Sequence, residues 1–192
     1  MSRGDAVIGI SDHGGWAVLV TVASDGTMLD RRRVELVDEG LPKIPHHSEG
    51  QGLPVDEAVA LVGRVEASAK RHSKLVLDAV AATVPGRIVG VALRQCPELP
   101  PTVAERIKDY TAQNVADWVM YRRALAAAAE ARGWAVHWYE AKKVFDAASK
   151  ALHIADIDAH FVKLRKAIGP PWNKDHKLAM AAAIVAASAV VE

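Results

Sequence analysis

A chain of 192 residues is long enough to bury one substantial core and short for two, so residues 1–192 are expected to form a single domain. Apolar residues make up 51% and charged residues 24%, which excludes wholesale disorder. With 24 Lys plus Arg against 23 Asp plus Glu there is no global field for nucleic acid or an anionic membrane, and any polyanion binding needs a local patch.

The first elements come quickly. Residues 6–10, 16–23 and 27–37 are rich in Val, Ile, Leu and Thr and predict three strands. Gly14-Gly15 turns the chain between the first two, and Ser24-Asp25-Gly26 between the second and third, so the three form an antiparallel meander. "DEGLPKIPHHSEGQGLP", residues 38–54, is a long Pro/Gly/His loop, of a length more often functional or mobile than inert. From Val55 to about Val84 the spacing predicts a helix, with Val55, Val59, Val62, Val65 and Ala69 on one face, followed by Leu75, Val76 and Val80. Asp56 and Glu57 in its first turn suit the helix dipole.

Pro85-Gly86 stops that helix, and "RIVGVAL", 87–93, reads as a strand covered on both faces. After the breaker "CPELPP" a long helix is expected over about 102–132, and "WAVHWY", 134–139, is the fifth strand. Helices follow over about 141–153 and 155–168; then, past "GPPWN", comes a last one from about Lys174 to Val191. The Ala-rich stretch within it, "KLAMAAAIVAASAVV", falls short of the ~20 apolar residues of a membrane span. The start "MSRGDAVIGI" is too short and too charged for a secretory signal. The single cysteine, Cys96, fits a reducing compartment. The expectation is a cytoplasmic protein with no membrane association.

This order, βββ-α-β-α-β-α, predicts an antiparallel hairpin sheet extended by parallel strands, with helices on both faces. It resembles the ribonuclease H-like fold: a three-layer α/β/α domain with a five-stranded mixed sheet, strands 1–3 antiparallel and 4–5 parallel. "GISDHGGWAVLVTVASDGTMLDR" resembles the opening of that superfamily, in which strand one ends in a catalytic Asp. The same stretch is similar to the D-x-G-G phosphate loop of actin-like sugar kinases, but those need two such domains, more than this chain supplies. The tail "YEAKKVFDAASKALHIADIDAHFVKL…GPPWNKDHKLAMAAAIVAA" is similar to the closing part of RuvC-type Holliday-junction resolvases.

The resemblance implies phosphodiester cleavage by two divalent ions, Mg²⁺ or Mn²⁺, held roughly 4 Å apart by converging carboxylates. Asp12 matches the first position, although an Asp there also suits a turn that bonds backbone N–H groups. Asp175 matches the start of the last helix, where it equally suits the helix dipole. Glu140 or Glu98 would complete the metal shell, and His176 would aid proton transfer. Two positions depart from the pattern. Arg94 stands where strand four would end in an acid, and Leu178 replaces an acid one turn into the last helix.

Two functions follow. One is a metal-dependent nuclease acting on structured or single-stranded nucleic acid. The other is a non-catalytic domain that binds protein or nucleic acid through an eroded site; a homodimer is compatible with either. Outside that set, His46 and His47 are adjacent on the long loop and point apart in an extended segment, a poor pair for one ion. If the loop folds over strand one, His13, His47 and Asp12 could meet. Trp118 and Tyr121 with Arg122 and Arg123 are either core plus a solvated basic face or a base-stacking edge. Cys96 has no activating partner in the sequence.

Overall fold

A computed structural model describes residues 4–191. Strands β1 (Asp5–Asp12), β2 (Trp16–Ala23) and β3 (Met28–Glu35) form the antiparallel meander; β4 (Arg87–Arg94) and β5 (Ala135–Tyr139) extend it in parallel, giving the order β3-β2-β1-β4-β5. The turns sit where the glycines allow positive φ, at Gly15 (78°) and Gly26 (85°). The helices are α1 (Val55–Thr83), α2 (Val103–Lys108), α3 (Tyr110–Glu130), α4 (Val144–Ala151), α5 (Ile157–Ile168) and α6 (Lys174–Val191). Among the described residues no helix is long and apolar enough to cross a membrane.

Alternation along β1 divides the protein into two cores. Ala6, Ile8 and Ile10 pack with Leu77 and Val80 of α1 and with Tyr121 and Leu125 of α3. Val7 turns to the other face, where α4, α5 and α6 bring Ala148, Phe161, Ala179 and Ala183. A strand buried on both sides must be apolar throughout, which is why Val7 to Ile10 shows no polar residue. The alanines of α6 have a specific cause. A Cβ placed on Gly9 would lie 1.8 Å from the Ala179 carbonyl oxygen, so α6 lies against β1 at a separation only small residues permit.

Two local expectations are corrected. The helix expected over 102–132 is two helices: Asp109 is extended (φ −104°, ψ 109°), and its carboxylate accepts from the N–H groups of Thr111 and Ala112, capping α3. A short polar side chain that satisfies orphan amides starts a new helix more readily than it continues the old one. Along α1 the buried stripe runs through Ala58, Val62, Val65, Ala69, Leu77 and Val80, and Leu75, expected on it, is 56% exposed.

β3 is an edge strand, and its charges protect that edge. Arg31 does more. Its guanidinium donates to the carbonyl oxygens of Ile168 (3.0 Å), Gly169 (3.0 Å), Pro170 (3.2 Å) and Pro171 (2.8 Å). One side chain thus pins the segment between α5 and α6 and sets where α6 begins.

Candidate functional site

The tip of β1 and the start of α6 are neighbours, as the resemblance requires. Asp175, in the first turn of α6, accepts through Oδ1 from Ser11 Oγ (3.1 Å) and His13 Nε2 (2.8 Å). The helix start leaves it free for this, because Asn173 Oδ1 takes the N–H groups of Asp175 (3.0 Å) and His176 (3.3 Å) as the cap. The His13 ring stacks on Trp16 at 4.0 Å and 6°, and the Arg33 guanidinium lies 4.5 Å from the same indole. The pair is partly open, with side-chain exposures of 38% for His13 and 22% for Asp175.

Asp12 does not join them. It has the parity of Ile8 and Ile10, so its side chain leaves β1 on the α3 face, while Ser11 and His13 leave on the α6 face. There Asp12 Oδ2 accepts from Arg122 Nε at 2.8 Å, both side chains nearly inaccessible, and Arg122 also donates to the Gln95 carbonyl (3.2 Å). Asp12 Oδ1 is buried without a hydrogen-bond partner among the described residues. The expectation that Asp12 faces the start of the last helix is therefore corrected: its neighbour Ser11 does so.

The remaining expected residues are dispersed. Glu140 is exposed and pairs with Lys143 at 2.8 Å. Glu98 is exposed on the segment after β4. His176 is buried beside Trp172, with Nδ1 2.7 Å from Asn173 Oδ1; burial first, then the charge of Arg31, holds its pKa below the ordinary value. It belongs to the cap of α6, not to a proton path at β1. Leu178 is core. Among the described residues no group of three or more His, Cys, Asp or Glu side chains is placed to hold a metal ion. The donors expected for a paired Mg²⁺ or Mn²⁺ centre are not gathered, and the guanidinium on Asp12 opposes a cation beside it. The residues do not fit two metals.

The 38–54 loop folds over the β1–β2 turn. A Cβ on Gly14 would meet Ile44 Cγ2 at 2.7 Å, and one on Gly15 would meet Lys43 Cγ at 2.8 Å, so both glycines make room for the loop. Tyr121 donates to the Lys43 carbonyl (2.8 Å). Fully buried Asp117 accepts from His46 N–H (3.0 Å), His46 Nδ1 (2.8 Å) and His47 N–H (3.1 Å). The two histidines thus anchor the loop to α3. His47 lies against Tyr110 of α3, 6.5 Å between ring centroids, and does not join His13 and Asp12.

Arg122 and Tyr121, grouped in the sequence as a basic–aromatic edge, are both internal. Tyr139 carries no motif in the sequence and has a structural role. Pairing between β1 and β4 ends at Gly9 and Ala92, and the Tyr139 hydroxyl donates to the Ile10 carbonyl (2.9 Å) where the strands part; burial raises its pKa. Burial likewise raises the Cys96 thiol, against the pull of Arg122, so it is a poor nucleophile. A signal for Ser11 was present. Gly9 and Ser11 share parity, and the residue meeting α6 at the tip must have it.

Among solved structures the chain is similar to Thermus thermophilus RuvC, with a TM-score of 0.52 and 19% identity over 97% of this chain and 95% of that one. It matches the T. thermophilus RuvC structure in complex with a Holliday junction substrate equally, over 97% of this chain and 94% of that one. No protein-family model and no curated protein sequence matches. The likeness establishes a ribonuclease H-like fold of RuvC type, with the mixed sheet and flanking helices expected from the sequence.

Proposed function

We propose that this chain is a nucleic-acid-binding domain that keeps the RuvC-type fold while ion pairs stand in place of a two-metal centre. The observation that carries the reading is the buried Asp12–Arg122 pair: the tip carboxylate is bound by a permanent cation on the face away from α6. A fixed guanidinium already supplies the positive charge that a divalent ion would bring.

The support for nucleic acid is a local cationic rim. Arg33, Lys43, Lys142 and Lys174 are exposed around the end of the sheet where β1, β4 and β5 finish and α6 begins; Arg33 and Lys43 share the single carboxylate of Glu35, so these five side chains still carry a net positive charge. A chain with no net field binds a polyanion through such a patch. The related fold bound to a Holliday junction makes a four-way junction the first ligand to test.

Fluorescence anisotropy with a labelled four-way junction, a duplex and a single strand, repeated across salt concentrations, tests it. Binding should weaken steeply with salt, and no labelled strand should be cut in Mg²⁺ or Mn²⁺. Absence of binding to all three at low salt removes the reading.

A second reading has one observation in its favour: Asp175, His13 and Ser11 converge at a partly open point on the α6 face. These could hold a single divalent ion for a hydrolase. Mn²⁺ would then raise the melting temperature in the wild type and not in Asp175→Asn, since an ion bound only by the native state stabilises it. An unchanged wild-type melting temperature rules that ion site out.

A further inference from the structure

Across the end of the sheet, on the face covered by α6, side chains from three neighbouring strands form a column. Trp16 opens β2. The His13 ring, just past the end of β1, lies parallel to its indole at 4.0 Å and 6°, and the Arg33 guanidinium of β3 lies 4.5 Å from the same ring centre. His13 and Arg33 reach Trp16 from opposite neighbouring strands, and one indole face has no room for both, so they flank it. Each end of the column is held. Arg33 donates to Glu35, while His13 Nε2 meets Asp175 Oδ1 at 2.8 Å and the His13 main-chain N–H donates to the Trp16 carbonyl at 2.9 Å. The His13 side chain is nevertheless 38% exposed. With one ring face on Trp16 and Nε2 on Asp175, that exposure belongs to the other face and the Nδ1 edge.

Following the column from β3 through β2 and β1 leads on to β4, and there it stops. Pairing between β1 and β4 ends at Gly9 and Ala92, so among the described residues no strand is paired beside His13 to fill the next place. A ring already clamped on one face and one edge loses little freedom when a second planar group covers its open face, which favours stacking. Arg94 ends β4 on the side of that place. It has the parity of Ala92, which faces α6, and it forms no ion pair among the described residues, since Arg122 holds the Asp12 carboxylate. Asp175, with Oδ1 taken by Ser11 and His13, keeps an anion off its own side and toward Arg94. A planar face next to an unpaired guanidinium suits a ligand that joins a ring to a phosphate, whereas an aromatic side chain would use the ring alone.

We propose that the free face of His13 is a stacking platform for the base of an unpaired nucleotide, whose phosphate lies toward Arg94 at the end of β4. This deepens the nucleic-acid reading and rests on it, for it names a single-stranded or flipped-out nucleotide as the part of the ligand that meets the sheet end.

The test titrates adenosine 5′-monophosphate into the full chain and follows the ring-proton resonances of His13, assigned by their loss in His13→Phe. Stacking sets these protons over the base, so a saturable upfield shift is expected with the nucleotide and with adenosine, and none comparable with inorganic phosphate. By calorimetry, with the fold checked by circular dichroism, His13→Ala should weaken nucleotide binding about fivefold or more. His13→Phe, which keeps a flat face and loses the hydrogen bond to Asp175, should retain it. Arg94→Gln should weaken the nucleotide and leave adenosine unchanged. No upfield shift with the nucleotide, an equal shift with inorganic phosphate, or an unchanged affinity in His13→Ala overturns the platform; an unchanged affinity in Arg94→Gln overturns the placement of the phosphate. Nucleotide binding without binding of junction, duplex or single strand removes the nucleic-acid reading and leaves a mononucleotide site. Strand binding indifferent to His13→Ala removes the platform and leaves that reading.

Discussion

At the tip of β1 the two faces of one strand carry opposite electrostatic solutions. On the α3 face, Asp12 and Arg122 are sealed from water, with one carboxylate oxygen unpaired among the described residues. On the α6 face, Asp175 meets a hydroxyl and an imidazole at a point still open to solvent. A buried ion pair contributes little net stability but is costly to break, because either partner left alone is a desolvated charge. An open pair is screened, cheap to remove, and free to exchange partners. The sealed face is therefore architecture, and the open face is where ligand chemistry can occur.

The contrast is sharpest under mutation. Arg122→Ala should cost about 3–5 kcal/mol in urea unfolding, since it strands Asp12 in the core. The double variant Asp12→Asn/Arg122→Met should recover most of that loss. A cost for Arg122→Ala below about 1 kcal/mol would mean that the pair is solvated and that the two faces do not differ.

Gly9→Ala comes next. Its Cβ would lie 1.8 Å from the Ala179 backbone, where no side-chain rotation relieves the clash. A loss of about 2–3 kcal/mol is expected, and α6 must move, which disrupts Asp175 with Ser11 and His13. The change should register in the His13 imidazole resonances as well as in stability.

Asp175→Asn should cost less than about 1 kcal/mol, because the carboxylate is partly solvated and loses only an open pair. Equal costs for Asp175→Asn and Arg122→Ala would break the comparison.

The smallest effect is a pH dependence. The folded pKa of His176 lies below its ordinary value of 6.5, chiefly through burial, so below about pH 6.5 the unfolded chain binds a proton the folded one refuses. Its contribution to stability is present above that pH and declines as pH falls toward the folded pKa. His176→Gln should flatten the stability profile in that acidic window and leave the profile above pH 7 unchanged.

Much of the fold was legible. The apolar runs and turn residues placed all five strands close to their observed limits, since a strand buried on both faces has little compositional freedom. The break at Asp109 is hidden in the sequence, because the capping potential of one Asp competes with a helical pattern that runs through it on both sides. The meeting of β1 and α6 was legible too. Which residue of β1 meets α6 is set by parity and not by chemistry: Asp12 has the chemistry of a ligand, but Gly9 and Ser11 have the parity that faces α6. A shift of one residue along a strand exchanges the faces.

The partners were beyond the sequence altogether. Arg122 is 110 positions from Asp12 and Asp117 is 71 from His46, and local pattern holds no information on which distant charge satisfies a buried one. The order of elements, the mixed sheet and the small residues under α6 are determined by the chain itself, because periodicity, turn chemistry and side-chain size act between near neighbours. The burial of Asp12 against Arg122, the spread of the other acids and the meeting of Ser11 and His13 with Asp175 were decided only by tertiary packing. Ion pairing and desolvation depend on separation in space, and folding alone sets that separation.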